Sequence, residues 1–425
     1  MCGINGIFRY DKKSLDYRKL EIMNNLLMHR GPDGNGIKLF DHIGLAHTRL
    51  SIIDLNIRGK QPMVSHNKNS WIVYNGEIYN YLELRSQLID LGYQFKTKTD
   101  TEVILHAYDC WGNKAFSKFN GMFALSIYDS SSRKLICARD RFGIKPLYYF
   151  QDSNKFIFSS EIKPILSVLD KTPEIDKQVL FNYLYYGRVN YSNATFFGGI
   201  LNLSPGHYIE ITSSGCSKEE KWWNFTHSQR PSSIKILRKL FEDSVKLRMR
   251  SDVPVGACLS GGIDSTSIVN TALKFTNKDF STYSAITDDN WPNSENKYIH
   301  LVNKKNRLSS NYIKPNGPNL IKNLKKIVKI QEEPFTTPAI YSQWEVMKLA
   351  NKKGSKVLLD GQGADEILGG YHYFYSYFLF ELYKKHKYFE LIFEMIQIYI
   401  KISKNINRLR KTSTPISSLY FIAFS

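Results

Sequence analysis

The sequence predicts two domains in series, an α+β sandwich followed by an α/β doubly wound parallel sheet. Three observations carry this reading. A chain of 425 residues is too long for one core of ordinary size. Up to about residue 212, short apolar or alternating runs are separated by turn signals, whereas after about 232 the rhythm becomes helix, strand, loop, helix. The polar, irregular stretch 213–232 between them reads as a linker, which gives domains 1–212 and 233–425.

In the first domain, strands are predicted at Trp71–Tyr74, Met122–Tyr128, Lys134–Ala138, Leu147–Phe150 and Phe156–Ser159, with Asn-Gly and Asp-Arg pairs as turns. Helical periodicity appears at Tyr17–Met28, Tyr81–Leu91 and Glu102–Trp111. Hairpin-connected strands with intervening helices suggest the sandwich. In the second domain, helices are predicted at Ile234–Met249, Ser265–Phe275 and Tyr298–Asn306, and strands at Val255–Leu259, Phe280–Ile286 and Val357–Leu359. Such alternation favours a parallel sheet, whose ligands sit at the carboxyl ends of the strands.

Hydrophobic residues at 42% and aromatics at 14% are enough for a sizeable core and exclude a disordered chain. The net charge of +19 comes from scattered lysines. The runs Lys322–Lys329 and Lys384–Lys387 sit among apolar residues at helical spacing, the pattern of solvated helix faces, so no nucleic-acid partner is expected. The five cysteines form no Cys-x-x-Cys pair, which argues against a zinc or disulfide framework and fits a reducing cytoplasm. No signal peptide is expected, because the N-terminus lacks a basic head before an apolar core. Tyr373–Tyr383 and Leu391–Ile402 are too short and too charged to span a bilayer, so no membrane partner is expected.

Cys2 stands one residue from the terminus. Removal of Met1 would give it a free α-amine of reference pKa about 8, able to take the thiol proton directly or through water. A nucleophile is therefore available, and its neighbours in sequence say what it attacks. The segments His29-Arg30-Gly31-Pro32-Asp33, His47-Thr48-Arg49-Leu50-Ser51-Ile52, Tyr74-Asn75-Gly76-Glu77-Ile78-Tyr79-Asn80 and Thr99-Asp100-Thr101-Glu102 follow in order. Arg139-Asp140-Arg141-Phe142-Gly143-Ile144-Lys145-Pro146-Leu147-Tyr148-Tyr149 and Ser160-Glu161-Ile162-Lys163 complete the set.

This half resembles the glutaminase domain of class II glutamine amidotransferases, which have the N-terminal-nucleophile (Ntn) hydrolase αββα fold. The resemblance implies Arg49 for the glutamine α-carboxylate, where a bidentate fork suits. It implies Glu77 and Asp100 for the α-ammonium. The Asn75 side-chain amide and the Gly76 N–H would receive the oxyanion beside the nucleophile Cys2.

In the second half, Ser260-Gly261-Gly262-Ile263-Asp264-Ser265 lies between a predicted strand and a predicted helix. Glycines let backbone N–H groups close around phosphate, a helix N-terminus adds its dipole, and the serines add hydroxyls. Asp264 suits Mg²⁺. The loop resembles the pyrophosphate loop of N-type ATP pyrophosphatases. A second loop, Asp360-Gly361-Gln362-Gly363-Ala364-Asp365-Glu366, resembles the adenylate-side loop of asparagine synthetases, with Asp365 as second magnesium ligand. By the same match, Cys258, Leu259, Ala285, Asp360 and Gly361 belong to the nucleotide pocket, with Cys258 a small hydrophobe, while Gln362 and Glu333 face the acceptor.

The two halves together resemble glutamine-hydrolysing asparagine synthetases. The implied reaction uses glutamine, ATP with Mg²⁺ and a carboxylate acceptor, aspartate first. Ammonia freed at Cys2 would pass through an interdomain tunnel to an acyl adenylate, giving asparagine, AMP and pyrophosphate, in the cytoplasm and as a homodimer. Two departures open alternatives. The usual enzymes have Glu at the position of Gln362 and Ser at that of Asp360, and similar loops occur in surface-polysaccharide relatives that amidate a sugar uronic acid. An Arg-x-Pro-Phe-Leu-Asp-like segment and a later Lys are missing from the end of the chain, where Leu419–Phe424 is oddly apolar. A truncated product that keeps only glutaminase activity, or none, and exposes apolar surface is the other expectation.

Overall fold

The computed structural model describes residues 1–216, 218–226, 233–276, 280–288, 294–371 and 373–410, with backbone alone for 401–410. Residues 227–232 of the expected linker and the Leu419–Phe424 run lie outside the described residues. Two compact units are distinguished, one of Met1–Gly262 with Thr266–Leu359 and one of Ile263–Ser265 with Asp360–Ser425.

The larger unit begins with two antiparallel sheets. Their strands are β1 (Gly3–Arg9), β2 (Gly34–Phe40), β3 (Ile43–Arg49), β4 (Met63–Val64), β5 (Ser70–Ile78), β6 (Gly121–Asp129) and β7 (Lys134–Arg139). The series continues with β8 (Tyr148–Gln151), β9 (Lys155–Ser159), β10 (Ile200–Asn202), β11 (His207–Thr212), β12 (Gly215–Cys216) and β13 (Glu220–Lys221). One sheet runs β10-β8-β9-β1-β3-β2, and the other β12-β11-β7-β6-β5-β4 with β13 on β11. The helices of this half are α1 (Tyr17–Leu26), α2 (Tyr81–Asp90), α3 (Asp100–Trp111), α4 (Ala115–Lys118), α5 (Ile162–Leu166) and α6 (Lys177–Tyr186).

The period-2 pattern of the central strands explains the layering. On β6, Phe123, Leu125 and Ile127 face a core shared with Leu84 and Leu88 of α2, Val103 and Leu105 of α3 and Phe116 of α4. Ala124 and Tyr128 point the other way, into a core with Ile4, Phe8, Ile43, Leu45 and Phe158 of the facing sheet. A third core packs Leu20 and Met23 of α1 and Ile162 and Ile165 of α5 on the far side, against Ile7 and Ile157. The result is helix, sheet, sheet, helix, as the sequence predicts.

The Asn-Gly pairs did not all become turns. Asn5-Gly6, Asn35-Gly36 and Asn75-Gly76 lie inside β1, β2 and β5. Their glycines are set by close approach rather than chain reversal. A Cβ on Gly36 would lie 2.2 Å from the Gln61 carbonyl oxygen, and one on Gly76 would lie 2.2 Å from that of Met122.

The same unit continues with a four-stranded parallel sheet of β14 (Val255–Cys258), β15 (Ser281–Ala285), β16 (Ser309–Ile313) and β17 (Val357–Leu359), in the order β16-β15-β14-β17. Its helices are α7 (Ile234–Arg248), α8 (Ile263–Ala272), α9 (Asn296–Asn306), α10 (Gly317–Gln331) and α11 (Ala339–Lys352). Val245, Val269 and Ile299 pack on one face, and Val346 and Ala350 with Tyr283 on another. The chain winds outward from β14 to β16 and returns to β17 on the opposite side of β14, so this sheet has a topological switch point there. The lysines of α10 are exposed, as the spacing predicts.

Within this unit the parallel-sheet half is pinned to the sandwich by polar contacts. The Glu332 carboxylate accepts from the Ile162 and Lys163 amides at 2.7 and 2.8 Å. The Asp252 carboxylate accepts from the Asp54 amide at 2.7 Å, Lys356 meets Asp33 at 2.7 Å, and Arg250 pairs with Glu83.

The smaller unit holds the first residues of α8 and then α12 (Ala364–Leu368), α13 (Tyr373–Lys384) and α14 (Tyr388–Arg410). Among the described residues, no helix is long and apolar enough to cross a membrane.

Candidate active site

Cys2 immediately precedes β1, and its thiol sits against the neighbouring strand end. The Leu50 amide donates to Sγ at 3.3 Å, and Sγ lies 3.7 Å from the Leu50 carbonyl oxygen. The Cys2 carbonyl accepts from Arg30 Nε at 2.9 Å, and Arg30 Nη1 reaches Glu161 at 2.9 Å. Burial pushes the thiol up, so thiolate formation needs a nearby base. Burial also lowers the Met1 α-amine to about 6. That amine belongs to the unprocessed chain; after removal of Met1 the equivalent group is the amine of Cys2 itself.

Arg49 ends β3 and is 9% exposed. Its two terminal nitrogens donate to the carbonyls of Asn56 and Asp54. Gly59 must be glycine for this, since a Cβ there would lie 2.2 Å from Arg49 Nη2. The guanidinium is thus held by neutral carbonyls and keeps its charge for an anion.

Asn75 and Glu77 come from β5. Asn75 is 1% exposed, and its Nδ2 has no hydrogen-bond partner among the described residues. Leaving a buried donor unmatched costs about 1–3 kcal/mol, which a stable fold retains where a ligand supplies the acceptor. Glu77 Oε2 is likewise buried without a partner. Burial, with the Asp100 charge beside it, pushes the Glu77 carboxyl well up. Asp100 opens α3 and accepts from the Tyr74 hydroxyl at 2.8 Å and the Ile78 amide at 3.0 Å, while burial raises it. The charges of Glu77 and Asp100 both act on the Cys2 thiol. Glu77 and Asp100 therefore stand near Cys2, and Asn75, two residues before Glu77 on β5, shares its face of the sheet.

The remaining predicted residues fall in two places. In the larger unit, Cys258 pairs with Tyr283, the Leu259 amide donates to the Tyr283 carbonyl at 3.0 Å, and Ala285 ends β15. Cys258 and Ala285 are partly buried against Tyr283, as small apolar residues. Gly261 has φ +90°, and a Cβ there would lie 2.9 Å from the Glu295 carbonyl oxygen. Gly262 takes the N-cap position of α8 and carries no side chain to fill the turn. This cradle fits a phosphate group. In the same unit, the Glu333 carboxylate accepts from the Phe196 amide at 2.9 Å.

In the smaller unit, a Cβ on Gly361 would lie 3.3 Å from the Ser265 nitrogen and 3.4 Å from Asp264 Cβ. The second loop thus runs close to the first turn of α8. The Gln362 amide donates to Asp360 Oδ1 at 3.3 Å, and both residues are exposed. Asp365 lies in the first turn of α12 with its carboxylate against the Gly370 backbone. Asp264 and Asp365 offer the hard carboxylate oxygens that Mg²⁺ takes.

Residues 1–223 match the glutamine amidotransferase domain family, and residues 236–411 match the asparagine synthase family. A Methanocaldococcus jannaschii protein provisionally named a glutamine-hydrolysing asparagine synthetase is 36% identical over 397 residues, covering 87% of this chain and 76% of that one. The chain belongs to the glutamine-hydrolysing asparagine synthetase family. Asparagine synthetase 1 of Bacillus subtilis is 37% identical, covering 88% of this chain and 59% of its own length. Asparagine synthetase B of Escherichia coli is 31% identical, with 88% and 66% covered. The chain thus spans between about half and three quarters of the family members it matches.

Three residues of this asparagine synthetase family member escaped the sequence reading as site residues. Arg30 and Glu161 form the hydrogen-bonded pair behind Cys2, and Lys145 reaches Met1 Sδ at 3.1 Å. All three lie in the motifs of the first half, but sequence spacing carries no sign of which motif residues turn toward the N-terminus. Asp140 shows the other kind of motif residue. Its carboxylate accepts from the amides of Phe123, Phe142, Ile144 and Lys145, so it shapes a loop and is fully engaged.

Proposed function

We propose that the chain hydrolyses glutamine at Cys2 and transfers the ammonia to an ATP-activated carboxylate. The observation that supports the first step is the buried Asn75 amide, unpartnered among the described residues and on the same strand face as Glu77, whose charge acts on Cys2. In this reading Met1 is removed and the Cys2 amine takes the thiol proton. The thiolate attacks the side-chain carboxamide, and Asn75 Nδ2 with the Gly76 N–H receives the developing oxyanion. Arg49 binds the glutamine α-carboxylate, and Glu77 and Asp100 the α-ammonium. Ammonia leaves, and water releases glutamate from the thioester.

For the second step, ATP is a substrate. The family resemblance assigns Cys258, Leu259, Ser260, Gly261, Gly262, Asp264, Ser265, Ala285, Asp360 and Gly361 to it. Asp264 and Asp365 would hold Mg²⁺, which neutralises phosphate charge when bound. A carboxylate attacks the α-phosphate and releases pyrophosphate; ammonia then displaces AMP to give the amide. Aspartate is the acceptor that the family relationship favours, and asparagine the product. Gln362 and Asp360 favour a second reading, a sugar uronic acid, because a neutral amide at 362 cannot act as the base that a Glu would supply. The same resemblance assigns Glu333 and Gln362 to the acceptor, in a homodimeric cytoplasmic enzyme.

The test measures glutamate, pyrophosphate and AMP from the full chain with processed Cys2, with and without aspartate and ATP. The proposal expects glutamate in every mixture containing glutamine, and pyrophosphate that rises with aspartate. Pyrophosphate indifferent to aspartate but raised by a uronic acid selects the second reading. Glutamate without pyrophosphate under any acceptor removes the ligase step.

A further inference from the structure

Lys145 is 5% exposed, yet its ammonium meets only a thioether, Met1 Sδ at 3.1 Å. A thioether is a weak acceptor, and this one belongs to the residue that maturation removes. Among the described residues, Arg49 and Lys145 are the two cations of the Cys2 cluster with no carboxylate within ion-pair distance. Glu77, whose charge acts on Lys145, keeps a buried Oε2 with no partner among the described residues, and the other members are committed. Arg30 is held by Glu161 and the Cys2 carbonyl. Asp33 is taken by Lys356 and the Ser51 amide, Asp100 by Tyr74 and Ile78, and Asp140 by four amides.

In the proposed function Arg49 is answered by the substrate carboxylate. Lys145 is left over. Its backbone is pinned at both ends, since its N–H donates to Asp140 Oδ2 at 3.0 Å and its carbonyl accepts from Arg139 Nε at 2.8 Å. The loop therefore delivers this ammonium to the N-terminus in a fixed place.

We propose that Lys145 is a positioning residue whose fixed charge lowers the proton affinity of the Cys2 amine–thiol pair, so that the pair loses its first proton near neutral pH. The inference rests on the reading of Cys2 as the glutamine nucleophile. The physical reason is charge repulsion. A cation held beside an amine disfavours its protonated form and favours a nearby thiolate, so both microscopic equilibria shift the same way. Arg30 adds to this from the loop after α1. Against it stand Glu77 on β5, Asp100 on α3 and Asp33 beside Arg30, while Asp252 ahead of β14 acts on Glu77. Burial lowers the Lys145 ammonium itself to about 8, which leaves it mostly charged at neutral pH.

The test compares the full chain with Lys145→Met, which keeps the bulk, and Lys145→Arg, which keeps the charge. Alkylation of Cys2 by iodoacetamide is followed across pH by peptide mass spectrometry, alongside the pH profile of glutamate release. In Lys145→Met the alkylation midpoint moves up by about one pH unit, and the acid limb of kcat/KM moves with it. Lys145→Arg restores both. An unmoved alkylation midpoint in Lys145→Met overturns the proposal, as does a raised KM with the acid limb unchanged, which would assign Lys145 to Glu77 or to substrate instead. If Lys145→Met does not fold, the Arg variant decides: a midpoint displaced as far as one unit despite the retained charge overturns it. Alkylation needs no glutamine, so a wild-type chain that releases no glutamate defeats the proposed function without touching this measurement.

Discussion

Arg30 bridges the Cys2 carbonyl and the Glu161 carboxylate, with donor distances of 2.9 Å on both sides. The guanidinium fork makes this geometry, and a lysine ammonium cannot reproduce it at both partners. Arg30→Lys is therefore expected to lower kcat for glutamate release about tenfold or more while the protein stays folded, because the thiol loses a fixed backbone anchor. Steady-state kinetics with a thermal-melt control checks this.

Glu161 makes that arrangement acid-sensitive. Burial raises its carboxyl, but the hydrogen bonds from His29 and Arg30 outweigh burial and hold it below the ordinary carboxylate range. A depressed acid contributes stability above its unfolded value that is lost as pH falls through the folded value. The melting temperature should fall with acidification below about pH 4.5, and Glu161→Gln should flatten that part of the curve. An equally steep acid limb in the variant contradicts this assignment.

Asn75 is where activity and stability separate. Asn75→Ala removes the proposed oxyanion donor and should lower kcat about 10²–10³-fold with little change in KM. It also removes a buried unmatched polar group, so the melting temperature should hold or rise. A matched fall in stability and activity would make Asn75 a structural residue.

Gly76→Ala tests the strand reading of Asn75-Gly76. The new methyl would lie 2.2 Å from the Met122 carbonyl oxygen, so β5 and β6 must part. A loss of about 1–3 kcal/mol in denaturant unfolding is expected. A neutral substitution would mean that the two strands do not approach as described.

The sandwich was legible because its strands alternate with period 2 and its central sheet is covered on both faces, so the signal at Met122–Tyr128 or Lys134–Ala138 is dense. The Asn-Gly pairs misled because the same dipeptide serves a hairpin turn and a close strand crossing; only the Met122 carbonyl above Gly76 tells them apart. Cys2, Arg49, Asn75, Glu77 and Asp100 could be nominated together from the sequence, since their residue types complement the carboxamide, carboxylate and ammonium of glutamine. Lys145 was not, because its role depends on a loop folded by Asp140 and Arg139 that returns to the N-terminus. Arg30 and Glu161 were hidden for the same reason: their link to Cys2 is a matter of distance in space.

The central claim is that Cys2, with its own free amine, is the nucleophile that takes the glutamine side chain. Incubating the full chain with a diazoketone analogue of glutamine, followed by peptide mass spectrometry, tests it most directly. The account predicts a single adduct, on Cys2 of chains that have lost Met1, and none in Cys2→Ala. An adduct on Cys110, Cys137, Cys216 or Cys258 with Cys2 unmodified would contradict it.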